Sequence, residues 1–177
     1  NNLISVGPNY LQINNELVNN ETESYIVYAG RISEEKGVRE LIESFNKAEL
    51  DSIKLKIIGE GPQYEKYNKL FSSSNIEFLG ERENTEVLEI IAKSKAVITA
   101  TKLYEGQPTL LCEASSIGVP SFYPRTGGIS EFFPEDYILS FEQFNYEELT
   151  NKLLYLLDDE KIKAIGKENK KYIANSS

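Results

Sequence analysis

Two carboxylates frame the segment YEGQPTLLCEASSIGVP at residues 104–120: Glu105 and Glu113, with seven residues between them. Glu113 stands between Leu-Leu-Cys and Ala-Ser-Ser, where an ionised side chain is costly to bury without a partner. It is therefore either turned to solvent or holding something. On one continuous helix the two acids would lie about 12 Å apart, too far to act as a close carboxylate pair. Pro108 predicts instead that a helix opens between them, with Glu105 in the loop before it and Glu113 on its second turn. So placed, they flank a ligand lying across the helix start, where free N–H groups near Thr109 and Leu110 favour phosphate. The plainer alternatives are an exposed helix position for Glu113 and an ordinary loop acid for Glu105.

Arg31 and Lys36 form a second charged pair, five positions apart and just ahead of an amphipathic segment. A planar fork and a point charge beside a helix start make an anion clamp. A solvated basic pair on a loop explains the same residues. The chain has no histidine and one cysteine, Cys112, which excludes an internal disulfide and a thiol–imidazole pair and argues against zinc. Cys112 is expected to fill core, and no metal is expected at the site.

Positioning these groups falls to a run of short β-rich stretches alternating with amphipathic ones, the pattern of a parallel α/β sheet with helices on both faces. Strands are predicted at Tyr25–Ala29, Leu55–Ile58, Ile76–Phe78, Ala96–Thr99, Ser121–Tyr123 and Tyr137–Leu139. Between them, Val38, Leu41, Ile42 and Phe45 make one apolar stripe, and Val87, Leu88 and Ile91 another. Pro62 and Pro108 sit at helix starts, and Gly118 ends the helix after Pro108. Asn145 with Glu148 resembles a capping box opening a helix through Leu149, Leu153, Leu156 and Leu157, and a last helix covers Glu160 to Ile173. Ligands of such sheets bind beyond the carboxyl ends of the strands. There the chain places Gly30-Arg31, Lys36-Gly37, Gly59-Glu60-Gly61, Glu105-Gly106 and Thr126-Gly127-Gly128.

The 177 residues suit one domain with its own core, and 40% hydrophobic with 27% charged residues is ordinary globular composition. A net charge of −9 argues against direct binding of nucleic acid or an anionic membrane surface, so an anionic ligand must be held locally. No apolar run is long enough to span a membrane and no signal segment opens the chain, which predicts a cytoplasmic protein. Residues 1–24 read as a linker or a residual strand, Leu3 to Val6 before Gly7-Pro8-Asn9, from a preceding domain, and 25–177 as the globular unit. The absence of methionine points to a fragment of a longer protein.

The stretches YAGRISEEKGVRELIESF, KIIGEGPQYEKY, IEFLGERENTEVLEIIAKSKAVITAT, EGQPTLLCEASSIGVPSFYPRTGGISEFF and EELTNKLLYLLDD occur in that order. Together they resemble the C-terminal nucleotide-sugar-binding domain of the retaining glycosyltransferases of family 4, of the bacterial surface-polysaccharide type. The resemblance implies a Rossmann-like domain, the C-terminal half of a GT-B fold. It implies that Arg31 and Lys36 hold the donor diphosphate, with Thr109 and Leu110 facing the phosphates. Glu105, Gly106, Gln107 and Pro108 would face the donor sugar, Glu113 would accept the ribose hydroxyls, and Leu79, Gly80, Glu81 and Arg82 would hold the base, largely by backbone. Glu105, Arg31 and Lys36 would carry the catalysis.

The implied activity moves a sugar from a nucleoside diphosphate, a UDP-linked hexose or N-acetylhexosamine, to a saccharide or lipid-linked acceptor in O-antigen, capsule or lipopolysaccharide synthesis. It needs no cofactor or metal, and the acceptor site lies on an N-terminal domain absent from these 177 residues, so the fragment alone should be inactive. The parent enzyme would be cytoplasmic, peripheral to the inner face of the cell membrane. Gln107 departs from the small residue or Phe common after Glu-Gly, and the glycine expected between Pro134 and Phe141 is missing. The alternatives are a GT-B-fold epimerase or phosphorylase, or a non-enzymatic nucleotide-binding α/β domain; a receiver-like domain would want acids where Gly30-Arg31 stand.

Overall fold

The computed structural model describes residues 21–176. Tyr25–Ala29 forms β1, and its near-continuous apolar sequence is what a strand covered on both faces requires. Ile26 and Tyr28 point into one apolar cluster, Tyr25 and Val27 into another on the opposite face. The remaining strands are β2 (Lys54–Ile58), β3 (Ile76–Gly80), β4 (Ala96–Ile98), β5 (Ser121–Arg125) and β6 (Ser140–Glu142). They form one sheet in the order β3-β2-β1-β4-β5-β6, with every neighbouring pair parallel.

The helices are α1 (Val38–Ala48), α2 (Tyr64–Phe71), α3 (Asn84–Ala92), α4 (Thr109–Ser116), α5 (Tyr146–Leu153) and α6 (Asp159–Asn175). The stripe Val38, Leu41, Ile42 and Phe45 of α1 packs with Tyr67 of α2 and Leu149 and Leu153 of α5 on the Ile26 face of the sheet. Val87 and Ile91 of α3, Leu111, Cys112 and Ala114 of α4 and Ile173 of α6 cover the other face. Each fully buried aliphatic side chain contributes about 1.5–3 kcal/mol relative to exposure, so these two layers hold the domain together. The sheet order reverses between β1 and β4, and the crevice at such a reversal is where α/β sheets take their ligands.

Two local expectations need correction. The sixth strand is Ser140–Glu142, not Tyr137–Leu139. Tyr137 is buried because its ring stacks on Tyr123 at 5.5 Å and its hydroxyl bonds Ser121, donating to the carbonyl at 2.7 Å and accepting from the N–H at 3.1 Å. Apolar burial there serves side-chain packing rather than strand pairing. Pro108 opens α4 as expected, standing as its N-cap, whereas Pro62 lies in a turn before Gln63, which caps α2.

The capping box of α5 is only half formed. Asn145 Oδ1 accepts from the Glu148 N–H at 3.0 Å, but the Glu148 carboxylate turns to the Glu142 N–H at 2.7 Å. Asp136 takes a left-handed backbone, φ 59, in the loop where a glycine was expected. The strand expected at Leu3 to Val6 and the following Gly7-Pro8-Asn9 lie outside the described residues. Among the described residues no helix is long and apolar enough to cross a membrane.

Candidate functional site

The loop after β1 carries Arg31 and Lys36 and ends at Gly37, which has φ 69 and caps α1. A Cβ at residue 37 would fall 1.9 Å from the Ala100 carbonyl oxygen. Only glycine lets the start of α1 press against the chain leaving β4, and this contact delivers Lys36 to Glu105 across the sheet reversal. Lys36 Nζ lies 2.9 Å from Glu105 Oε2, with the two side chains 30% and 27% exposed.

Glu105 is fixed from three directions. Thr101 Oγ1 donates to the same carboxylate oxygen at 2.7 Å. The Glu105 carbonyl accepts from the Gly128 N–H at 3.0 Å, while Gly127, φ 56, lies so close that a Cβ would sit 1.8 Å from that carbonyl. Partial burial pushes the Glu105 carboxyl up, but the hydrogen bonds from Lys36 and Thr101 and the Lys36 charge together bring it below the usual carboxylate range. It is an ionised acid with a dedicated partner. Its charge adds to burial in keeping the neighbouring Tyr28 phenol well above its ordinary value.

A cavity of about 180 Å³ opens here, lined by Lys36, Thr101, Glu105, Gln107, Pro108, Thr109 and Leu110 among others. A wider cleft of about 410 Å³ lies on the β2 side, lined by Gly30, Arg31, Gly59, Gly61, Glu81 and Arg82 among others. Ala29, the last residue of β1, lines both. The structure thus brings Lys36, Glu105 and the start of α4 into one pocket and Arg31 with Glu81 and Arg82 into the adjoining one. Exposed Glu35 lies between the two basic residues; its own backbone N–H holds its carboxyl below the usual range, and the Arg31 and Lys36 charges add to this.

The other expected site residues fall as follows. Gly80 accepts from the Gly59 N–H at 2.8 Å, tying the base-side loop to the end of β2, and Leu79 packs into the apolar cluster on the α3 side. Arg82 pairs with Glu86 at 3.3 Å. Gly106 is exposed, and a Cβ there would meet nothing within 4 Å. Glu113 lines neither cavity; it is partly buried on α4 between the buried Cys112 and Ala114. Burial raises its carboxyl, opposed by a hydrogen bond with the Asn84 side chain at the start of α3. Cys112 is fully buried, and burial, with the Glu113 charge, pushes its thiol up to about 12, so it is inert core.

One detail differs from expectation. The Thr109 N–H is not open to a ligand, because it donates to the Gln107 carbonyl at 3.1 Å. Pro108, at φ −87 and ψ 73, is the centre of this tight three-residue turn. The first bond of the helix proper runs from the Cys112 N–H to the Pro108 carbonyl at 3.0 Å, which leaves Leu110 and Leu111 as the donors at the helix start. Sequence reasoning also passed over Thr101, Asn84 and Gln143. Gln143 Nε2 donates to the carbonyls of Thr101 at 3.0 Å and Leu103 at 3.1 Å, pinning the loop that ends in Glu105. A polar Thr in the loop just beyond the buried β4 was the available signal for the first of these.

With this geometry in place, comparison with known proteins decides the family: the family described as "Glycosyl transferases group 1" matches residues 10–176. The chain belongs to the group 1 glycosyl transferases. Among curated relatives of this family, the sulfoquinovosyl transferase SQD2 of Arabidopsis thaliana is 30% identical over 166 residues, covering 88% of this chain and 32% of its own length. The chain thus spans about a third of that relative. Among solved structures, a mutant of S. aureus TarM in complex with fondaparinux, alpha-GlcNAc-glycerol and UDP superposes with a TM-score of 0.77 at 22% identity, over 88% of this chain and 33% of that one. The C-terminal domain of the glycosyl transferase group 1 protein LpcC from Francisella tularensis superposes with a TM-score of 0.74 at 19% identity, over 98% of this chain and 95% of that domain. The six-stranded parallel sheet with helices on both faces is therefore the Rossmann-like α/β domain of the GT-B fold.

Proposed function

We propose that this domain is the donor-binding half of a retaining glycosyltransferase of family 4, and that it holds a nucleoside diphosphate sugar across the ends of β1 and β4. The observation that carries the reading is the Lys36–Glu105 pair at 2.9 Å beside the start of α4, in a cavity that meets the Arg31 cleft at Ala29. In this reading the diphosphate lies at the seam between the cavities. Arg31 and Lys36 contact its oxygens from the β1 side, and the Leu110 and Leu111 N–H groups meet it from α4. These fixed donors counter the charge that grows on the diphosphate as the sugar leaves, and they do so without reorganising. Glu105 orients the sugar, Glu113 takes the ribose hydroxyls, and the backbone around Leu79 to Arg82 holds the base. No metal enters the scheme. UDP is the favoured nucleotide because the TarM structure, similar in fold, contains UDP.

The acceptor, a saccharide or lipid-linked sugar in surface-polysaccharide assembly, would be bound by residues beyond this chain. The domain alone then binds donor and transfers nothing. A thermal-shift panel of UDP, GDP and ADP with their glucose and N-acetylglucosamine conjugates tests the reading. Stabilisation by the uridine set above the others supports it, and no stabilisation by any nucleotide at millimolar concentration refutes it.

A further inference from the structure

Both groups that bond the Glu105 carboxylate use the same oxygen. Lys36 Nζ and Thr101 Oγ1 each reach Oε2, at 2.9 and 2.7 Å. We propose that Thr101 is a positioning residue for Glu105: it locks Oε2 onto Lys36 and so presents Oε1 to the cavity as the acceptor for a sugar hydroxyl. The inference deepens the donor-binding reading and rests on it for the identity of the ligand.

The Thr101 hydroxyl has little freedom. It is buried, 2% exposed, and its oxygen accepts from the Leu103 N–H at 3.1 Å, so its proton is directed to the carboxylate. The backbone on either side is held as well, by the two bonds from Gln143 and by Thr126 Oγ1, which donates to the Leu103 carbonyl at 3.3 Å. Phe144, next to Gln143, takes the left-handed conformation, φ 73, which is unfavourable for a bulky residue. Lys36 alone would not fix the carboxylate, because its flexible stem permits contact with either oxygen. The short, buried hydroxyl admits only one.

The test compares the wild-type chain with Thr101→Val, which keeps the shape and deletes the hydroxyl, and Thr101→Ser, which keeps the hydroxyl. Two readouts are taken: titration of the Glu105 side-chain carboxyl by carbon NMR, and the affinity of UDP-glucose and UDP-N-acetylglucosamine relative to UDP. The Lys36 ammonium and the Tyr28 phenol are the titratable neighbours. In Thr101→Val the Glu105 midpoint should rise, and the affinity gain of the preferred sugar conjugate over UDP should fall about tenfold with UDP itself unchanged. Thr101→Ser should restore both, an outcome that simple packing loss does not give.

An identical Glu105 titration in wild type and Thr101→Val overturns the proposal. Should Thr101→Val fail to fold, the wild-type chain still decides: a slowly exchanging Thr101 hydroxyl proton whose frequency follows the Glu105 titration supports it, and its absence overturns it. If the titration moves as expected while neither conjugate binds wild type better than UDP, positioning by Thr101 stands and the sugar-holding role of Glu105 falls.

Discussion

Replacing Lys36 by Met keeps the side-chain length and removes the charge that faces Glu105. The pair is roughly a third exposed on each side, so solvent screening limits it to about 1 kcal/mol of folding stability. For a chain of this size that is about 2–4 °C in melting temperature. The sign of the pH dependence follows from Glu105, whose carboxyl lies below the usual range in the folded chain. Its contribution is fully present above the ordinary carboxylate value, about 4.3, and is lost as pH falls through the lower folded value. The Lys36→Met deficit should therefore hold between about pH 6 and 8 and shrink progressively on acidification below the ordinary carboxylate value.

Because the substitution also makes the net charge of −9 one unit more negative, exposed Lys170→Met serves as the control for general repulsion. Nucleotide affinity separates the two roles of Lys36. A charge-assisted phosphate contact is worth about 1.5–3 kcal/mol, so UDP should bind about 10- to 150-fold more weakly to Lys36→Met. Thermal unfolding across pH and calorimetry with UDP provide the readings. A stability deficit of equal size at pH 7 and in acid, or one matched by Lys170→Met, would refute the pairing argument.

Arg31→Ala, at an exposed position, should leave the melting temperature within about 1 °C while lowering UDP affinity by a similar factor, since the side chain is assigned to ligand and not to packing. Glu113→Gln should lose discrimination between UDP and its 2′-deoxy analogue, and a preference equal to wild type in a competition assay would remove its ribose role. Gly166→Ala should destabilise, although alanine in a helix interior normally stabilises by about 0.5–1 kcal/mol, because a Cβ there would lie 2.1 Å from the Gly118 carbonyl and push α6 from the end of α4. A higher melting temperature for that variant would contradict the close approach.

The fold was legible where one rule decides the outcome. Tyr25–Ala29 is apolar on both faces, and the α1 stripe recurs at helical spacing, so neither depends on distant residues. Tyr137 to Leu139 misled because stacking on Tyr123 and capping of Ser121 demand the same residue types as a strand. At the site, Lys36 and Glu105 could each be marked as charged groups at strand ends. Their pairing could not be read, because it spans 69 positions and hinges on Gly37 meeting Ala100. The role of Thr101 and the closed Thr109 N–H were hidden for a related reason: each depends on loop dihedrals that no periodicity encodes.

The most direct measurement is a titration of the isotopically labelled chain with UDP, followed by amide NMR. The account predicts saturable shifts confined to the loop 30–37, the segment 79–82 and residues 105–113, with the Leu110 and Leu111 amides moving most. Saturable shifts centred instead at the amino-terminal ends of β4 and β5, around the Lys95–Asp159 ion pair and Gly118, would contradict it.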